Sequence, residues 1–224
     1  ASLASLFQQT LNPEQRKPAE DQIGQLQAQP RFGFLLLALV QSESTSTAIR
    51  LASAIQFKNL CKTRWNVDAE TEDPVFSAIS DDEKQTIRQQ LVPVLVSLAS
   101  ASTPSQAILS QMNESVALVA SSDFPEAWPA LIDELVSQLS TDNHHVLLSV
   151  LATSHAIFKQ WRSQFRSDAL YSEINLVLGK MANPLLELLQ RMHGMLLDPS
   201  TPSMTMQPLA LCLMSVSYTH LTLP

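Results

Sequence analysis

The chain has 224 residues, of which 45% are hydrophobic, and a formal net charge of −7. This composition is too apolar for a disordered tail, and its charge is too negative to favour nucleic acid as the main ligand. Only four residues are glycine and strand-type alternation is scarce, so we predict an all-helical fold. The longest apolar run, residues 32–40, is about half of the roughly 20 residues that a membrane span needs, and no membrane insertion is expected.

The N-terminal half shows helical periodicity in several segments. We predict helices at residues 3–10 and 13–27, with Asn12 as the N-cap of the second and Pro13 at its first position. A short and very apolar helix follows at 31–41, and another at 46–65. Residues 66–79 are acidic and contain a proline, which indicates a loop.

The second half continues the pattern. Ser80 and Glu83 have the spacing of a capping box at the start of a helix that runs to about residue 98, and Pro93 should kink or break it. Helices are predicted at 105–120 and 129–139. Asp142 or Asn143 should cap the next, which runs from 144 to about 162. The last runs from 168 to about 190, with a bend at Pro184.

A proline-rich stretch separates two of these helices. In "DFPEAWPALI", residues 123–132, Pro125 and Pro129 can end one helix and start the next. We expect Trp128 to fill the space between the two helices, and Asp123 to accept backbone N–H bonds in the turn. The stretch is therefore interpreted as a structural turn and not as a catalytic site.

The predicted helices occur in pairs, and the first helices begin near residues 46, 104 and 142. Once the 66–79 loop is set aside, their spacings are close to the about 40–47 residues of HEAT-type repeats. We therefore predict an all-α HEAT-repeat solenoid of stacked antiparallel helix pairs. Residues 1–100 would hold the first two repeats and residues 101–197 the third and fourth.

Three motifs resemble the importin-β superfamily. "AIQFKNLCKTRW", residues 54–65, is similar to its N-terminal motif, and "DFPEAWPALI" looks like the turn of its third repeat. "HAIFKQWRSQFRSDALYSEINLVL", residues 155–178, closely resembles the fourth repeat of CAS-type exportins. The residues that carry the resemblance are Lys58, Asn59, Trp65, Asp123, Phe124, Pro125, Trp128, Pro129, Phe158, Lys159, Trp161 and Arg162.

The resemblance implies a nuclear transport receptor that shuttles between nucleus and cytoplasm. CAS-type exportins return importin-α to the cytoplasm together with the GTP-bound Ran GTPase, and GTP stays on Ran, so no cofactor is expected on this chain. The resemblance also implies an N-terminal arch fragment of a monomeric receptor with possible contacts to nuclear pore proteins. Residues 198–207 would be a linker, 208–216 the start of a truncated fifth repeat, and 217–224 a non-native tail.

Partner binding is predicted on the second helix of each pair, which lines the concave face in this family. The polar candidates on these helices are Lys84, Arg88, Gln89, Asp133, Glu134 and Ser137. Two basic clusters, Lys58 with Lys62 and Arg64, and Lys159 with Arg162 and Arg166, end first helices. They are interpreted mainly as solvated charges that interact favourably with the C-terminal end of the helix dipole, with a partner-binding stripe as the alternative.

Catalytic sites are not predicted, because the chain contains no phosphate-binding loop, nucleophile elbow or zinc-protease motif. His144 and His145 are adjacent, so on a helix they point about 100° apart and are poorly placed to share a metal. Two other functions remain open at this point. One is an importin-β-type receptor for a different cargo, and the other is a HEAT-repeat scaffold unrelated to transport. An enzyme is the most remote alternative.

Overall fold

The computed structural model describes residues 2–66 and 79–197. Within these ranges the chain forms helices and no strands. The predicted linker, fifth repeat and tail, and nearly all of the predicted 66–79 loop, lie outside them. The helices are α1 Leu3–Thr10, α2 Arg16–Gln27, α3 Phe32–Gln41, α4 Thr47–Arg64, α5 Asp81–Ala99, α6 Gln106–Asp123, α7 Leu131–Ser137, α8 His144–Trp161 and α9 Asp168–Leu197.

The helices divide into two compact units. The first holds the described residues up to Leu98 together with Ser105–Val119, and the second holds Ala99–Pro104 and the described residues from Ala120 onward. In the first unit, α3 packs on α4, and α1 packs on both α2 and α4. In the second unit, α7 packs on α9.

Helix α3 is buried on several sides because it is apolar around most of its circumference. Gly33 permits α3 to lie close to neighbouring side chains. A Cβ atom placed there would lie 3.1 Å from Cδ1 of Ile87 and 3.4 Å from Cδ2 of Leu60. The absence of a side chain at this position therefore lets α3 lie tightly against both α4 and α5.

Two predicted helix caps are confirmed. The Ser80 hydroxyl accepts a hydrogen bond from the backbone N–H of Glu83 at 3.4 Å. The side-chain oxygen of Asn143 accepts from the N–H groups of His145 and Val146 at 3.0 and 3.2 Å. These bonds satisfy N–H groups that have no partner inside the helix, which is why the helices begin where they do.

The predicted start of the second helix is wrong. Asn12 does not cap a helix at Pro13, because its side-chain oxygen accepts from the N–H of Glu14 at 3.1 Å and closes a tight turn. The Asn12 carbonyl also accepts from the N–H of Gln15 at 3.1 Å. Asparagine competes well for such local turns, so α2 begins only at Arg16.

Glu83 does not complete the predicted capping box. Its carboxylate accepts, at 3.0 Å, from the backbone N–H of Arg31, which has a left-handed φ of 66° at the start of α3. The N–H of an N-cap residue has no acceptor within its own helix, so a carboxylate from another helix can satisfy it. Glu83 thereby joins the first turn of α5 to the start of α3.

The two internal prolines do not end their helices. Pro93 lies within α5 and Pro184 within α9, and the chain remains helical past both, so the break considered at Pro93 is wrong. Helices α6 and α9 also extend further than predicted, to Asp123 and Leu197. Helix α7 is shorter, because the N–H groups of Gln138 and Leu139 bond to carbonyls three residues back and tighten its last turn.

Candidate partner-binding surface

The predicted binding residues on α5 differ in their exposure. Lys84 has a side chain that is only 17% exposed, with its ammonium 5.9 Å from the centre of the Trp65 ring and 4.0 Å from Asp81 Oδ1. Arg88 is half-buried and makes further interactions, whereas Gln89 is exposed. Because its ammonium lies over the Trp65 ring, the predicted candidate Lys84 presents little of its side chain to a partner.

The predicted binding residues on α7 also have distinct roles. Asp133 accepts from the ammonium of Lys180 on α9 at 2.7 Å, and the Ser137 hydroxyl donates to the carbonyl of Glu134 at 2.7 Å. Glu134 is half-buried, and burial raises the pKa of its carboxyl group above the usual value. Only Asp133 of the three is joined to α9 by a hydrogen bond.

A groove of about 370 Å³ runs between α7 and α9 in the second unit. The Asp133–Lys180 ion pair joins the two helices, and the guanidinium of Arg191 joins α9 to the residues that follow α7. That group donates to the carbonyls of Leu139 at 2.9 Å and Ser140 at 3.3 Å. The groove, called the α7–α9 groove below, is lined by Val136, Leu139, Ser140, Pro184, Glu187, Leu188 and Arg191.

The α7–α9 groove combines an apolar surface with one exposed carboxylate. Pro184 on α9 and Val136 on α7 are half-buried and contribute apolar surface, whereas Leu188 lines the groove but is only 2% exposed. Glu187 on the same groove is exposed. An apolar surface with a few polar groups on its rim is typical of protein-binding surfaces. This groove could not be predicted from local sequence patterns, because Lys180 and Arg191 are about 50 residues from the groups they contact.

The motif residues of α4 are mainly structural. Trp65 is only 2% exposed, and Lys58 forms an ion pair of 3.2 Å with Glu114 of α6, while Asn59 is exposed. Arg64 departs from the prediction of a solvated charge. It is 5% exposed and donates to the backbone carbonyl of Gln27, because its side chain turns inward at the end of α4.

The predicted turn between α6 and α7 is observed. Trp128 is 3% exposed and Phe124 is 6% exposed, as expected for residues that fill the space at the turn. The backbone carbonyl of Asp123 accepts from the N–H groups of Ala127 and Trp128 at 2.7 and 2.9 Å. The prolines differ from the aromatic residues, since Pro125 is half-buried and Pro129 is exposed.

The third motif, residues 155–178, places an aromatic pair at the contact between α8 and α9. Phe158 and Trp161 stack with ring centres 4.9 Å apart, and the indole N–H of Trp161 donates to Glu173 of α9 at 2.8 Å. Burial raises the pKa of Glu173, the hydrogen bond from Trp161 opposes this change, and the nearby charge of Glu126 adds to it. Lys159 and Arg162 at the end of α8 are exposed.

Replacement of Glu173 by glutamine is expected to change how stability depends on pH. Because the folded state raises the pKa of Glu173, it binds a proton more strongly than the unfolded state does. The favourable contribution of this group is therefore complete below its unfolded pKa of about 4.3, and is lost as pH rises through the folded pKa. Glu173→Gln keeps an acceptor for Trp161 and should stabilise the chain more at pH 7 than at pH 4.

The measurement is chemical denaturation of both proteins at several pH values. Glu187→Gln, which replaces an exposed carboxylate on the same helix, is the control for the loss of one negative charge from α9. A stability difference for Glu173→Gln that grows as the pH falls would contradict the assignment.

The part of the chain within residues 2–66 and 79–197 contains no cluster of three or more His, Cys, Asp or Glu side chains arranged to hold a metal. Over the same ranges, no helix has the length and apolar character needed to cross a membrane. The rings of His144 and His145 meet edge to face with centres 6.4 Å apart.

Comparison with known proteins identifies two matching family models. Residues 19–97 match the importin-beta N-terminal domain, and residues 157–218 match the Cse1 model. The second match covers the Phe158–Trp161 pair and all of α9. The chain belongs to the importin-β superfamily.

Relatives and a solved structure agree with this assignment. The chain is 35% identical over 190 residues to "Exportin-2" of Drosophila melanogaster, which covers 84% of this chain and 19% of that protein. It is 35% identical over 189 residues to "Importin alpha re-exporter" of Saccharomyces cerevisiae, which covers 84% of this chain and 18% of that protein. The chain thus spans about a fifth of the length of these relatives.

The solved structure described as "The exportin Cse1 in its cargo-free, cytoplasmic state" matches with a TM-score of 0.82 and 30% sequence identity. The match covers 98% of this chain and 23% of that one. Together with the all-helical elements, it confirms the predicted HEAT-repeat fold class.

Proposed function

We propose that this importin-β-type chain is part of a nuclear transport receptor that exports importin-α from the nucleus in a Ran·GTP-dependent manner. The observation that carries the proposal is the match of residues 157–218 to the Cse1 model, supported by relatives described as exportin-2 and importin-α re-exporter. The proposed receptor is not an enzyme and works as a monomer that shuttles between nucleus and cytoplasm. Transient contacts with nuclear pore proteins belong to the same proposal.

The proposed mechanism is positive coupling between two partners. Ran·GTP and importin-α each raise the receptor's affinity for the other by the same factor, a coupling free energy of typically about 1–3 kcal/mol. Hydrolysis of GTP on Ran removes the favourable contacts and releases both partners. Because the nucleotide remains on Ran, this chain needs no phosphate-binding loop or bound cofactor of its own.

The proposed contacts lie on second helices of the repeats. In the second unit, the exposed residues Asp133 and Ser137 on α7 and Glu187 on α9 present polar groups beside the apolar α7–α9 groove. In the first unit, Gln89 is the exposed predicted residue of α5, with Arg88 partly accessible. Lys84 and Glu134 are more enclosed, and within this proposal they support the neighbouring exposed positions.

The test is a binding titration with Ran loaded with GTP or GDP, with and without importin-α. The sample is a chimaera in which this chain replaces the matching segment of the S. cerevisiae re-exporter. We expect preference for Ran·GTP and an affinity for it that rises about tenfold or more when importin-α is present. Equal binding to both nucleotide states would overturn the proposal and favour a Ran-independent scaffold.

Matched substitutions locate the contact. Glu187→Lys, on the rim of the α7–α9 groove, should weaken binding of at least one partner by about tenfold through lost charge complementarity. Glu20→Lys reverses an exposed charge on α2 and should leave both affinities unchanged. Equal effects of the two substitutions would mean that net charge, and not the groove, determines binding.

A further inference from the structure

The loop between α8 and α9, residues 162–167, exposes an aromatic side chain almost completely. Phe165 is 90% exposed, whereas the other large apolar side chains that are exposed in the described residues are 40% to 54% exposed. Isolated exposed leucines are common on protein surfaces, but a phenylalanine that makes almost no contact with its own chain loses much of the benefit of burial. Among the described large apolar side chains, Phe165 therefore has the largest exposed fraction available for contact with another molecule.

The charged sequence neighbours of Phe165 are mostly basic. Lys159, Arg162 and Arg166 are all exposed, and Asp168 is the one acidic residue between positions 159 and 168. Arg166 makes no hydrogen bond or ion pair with any residue that the structure describes, so its guanidinium is available to a partner. Arginine is common at the energetic centres of interfaces because its planar group binds carboxylates through two parallel hydrogen bonds.

The loop is held at both ends by ordinary hydrogen bonds. The N–H of Gln164 donates to the carbonyl of Trp161 at 3.2 Å, and the Ser163 hydroxyl donates to the carbonyl of Gln160 at 2.9 Å. On the other side, the Ser167 hydroxyl accepts from the N–H of Leu170 at 3.2 Å and caps α9. Trp161, whose carbonyl accepts the first of these bonds, also stacks on Phe158.

This anchoring has a consequence for binding. A loop that is already ordered loses less conformational entropy when a partner binds than a free segment does. Phe165 is thus presented by an ordered loop, and in sequence it lies directly before the exposed Arg166.

We propose that the α8–α9 loop is a docking site for an acidic protein segment that carries an apolar side chain. The apolar side chain packs against the Phe165 ring, and carboxylates of the segment pair with Arg166 and the neighbouring cations. This site is separate from the second-helix surfaces of the proposed function, and its test does not depend on Ran or importin-α. The loop supplies a single aromatic ring, whereas binding of single-stranded nucleic acid uses a row of stacking aromatic side chains, and this favours a protein segment over nucleic acid.

The test uses the whole 224-residue chain and a short fluorescent peptide composed of Asp and Glu around a central Leu-Phe pair. Fluorescence anisotropy should show saturable binding that weakens as salt rises. Phe165→Ser and Arg166→Glu should each weaken peptide binding by about fivefold or more. The first removes the apolar contact, and the second replaces the cation that pairs with a peptide carboxylate. A peptide in which Ser-Gly replaces Leu-Phe should bind the unmodified chain as weakly as the intact peptide binds Phe165→Ser.

Leu186→Ser is the matched control, because it removes a 52% exposed apolar side chain from α9 in the same unit. It should leave peptide binding unchanged, and circular dichroism should show equal helix content in every variant. Lack of saturable peptide binding, or equal effects of Phe165→Ser and Leu186→Ser, would overturn the proposal. Tighter binding to a single-stranded DNA oligonucleotide or to phosphatidylserine vesicles, abolished by Phe165→Ser, would overturn it in favour of those ligands.

Discussion

Replacement of Trp128 by alanine is expected to lower the free energy of unfolding by about 3–5 kcal/mol, the usual cost of removing a large buried aromatic side chain. Trp128 is only 3% exposed and lies in the turn between α6 and α7. Its removal leaves a cavity that the turn cannot easily close, because the Ala127 and Trp128 N–H groups remain bonded to the Asp123 carbonyl. The loss should therefore be close to the full cost of transfer and cavity formation.

Chemical denaturation followed by circular dichroism measures this change. Phe165→Ala is the matched control, because it also removes an aromatic ring from the second unit, but one that is 90% exposed. We expect the control to change the unfolding free energy by less than about 0.5 kcal/mol, as is usual for surface positions. Similar losses for the two variants would show that Trp128 is not a packing residue of the turn.

Replacement of Arg64 by alanine is expected to cost about 2–4 kcal/mol, because it removes a buried, hydrogen-bonded charge that interacts favourably with the charge of Glu83. Arg64 is 5% exposed and its guanidinium donates to the carbonyl of Gln27. Burial lowers the pKa of Arg64, and the charge of Glu83 opposes that change. Without Arg64, the Gln27 carbonyl loses a donor and Glu83 loses its favourable charge.

Lys62→Ala separates this effect from the general loss of positive charge. Lys62 lies in the same last turn of α4 and is exposed, so its removal costs mainly a weak interaction with the helix dipole. A double-mutant cycle with Glu83→Gln should give a coupling between Arg64 and Glu83 of about 0.5–3 kcal/mol. Equal losses for Arg64→Ala and Lys62→Ala would contradict the buried role of Arg64.

Local signals predicted most of the helices. Asn143 and Ser80 cap their helices with bonds to N–H groups two or three residues later, so sequence spacing alone contained the required information. Pro93 misled the prediction, since its missing hydrogen bond did not stop a helix whose face is buried on both sides of it. The start of α2 was missed because Asn12 favours its own tight turn, a choice that helix periodicity does not reveal.

Long-range contacts determine what the sequence could not predict. Glu83 was predicted to cap its own helix, but its carboxylate accepts a hydrogen bond from the backbone N–H of Arg31, 52 positions away. Arg64 was interpreted as a solvated charge, because helix periodicity does not show where a long side chain bends, but it is enclosed by its neighbours. The buried motif residue Trp128 was easier to predict, since large aromatic side chains in a helical repeat are generally buried. The choice of partner-binding residues stays a prediction.

The hydrogen bonds of the Arg191 guanidinium also affect the order in which α7 and α9 can fold. Helix α7 has seven residues, and the carbonyls that follow it receive their donor from a position about 50 residues later. A helix this short has little stability of its own. During synthesis, α7 therefore leaves the ribosome well before its C-terminal turn can be completed, and that turn becomes stable only after α9 has formed. A shorter expression fragment of the second unit should for the same reason extend beyond residue 191.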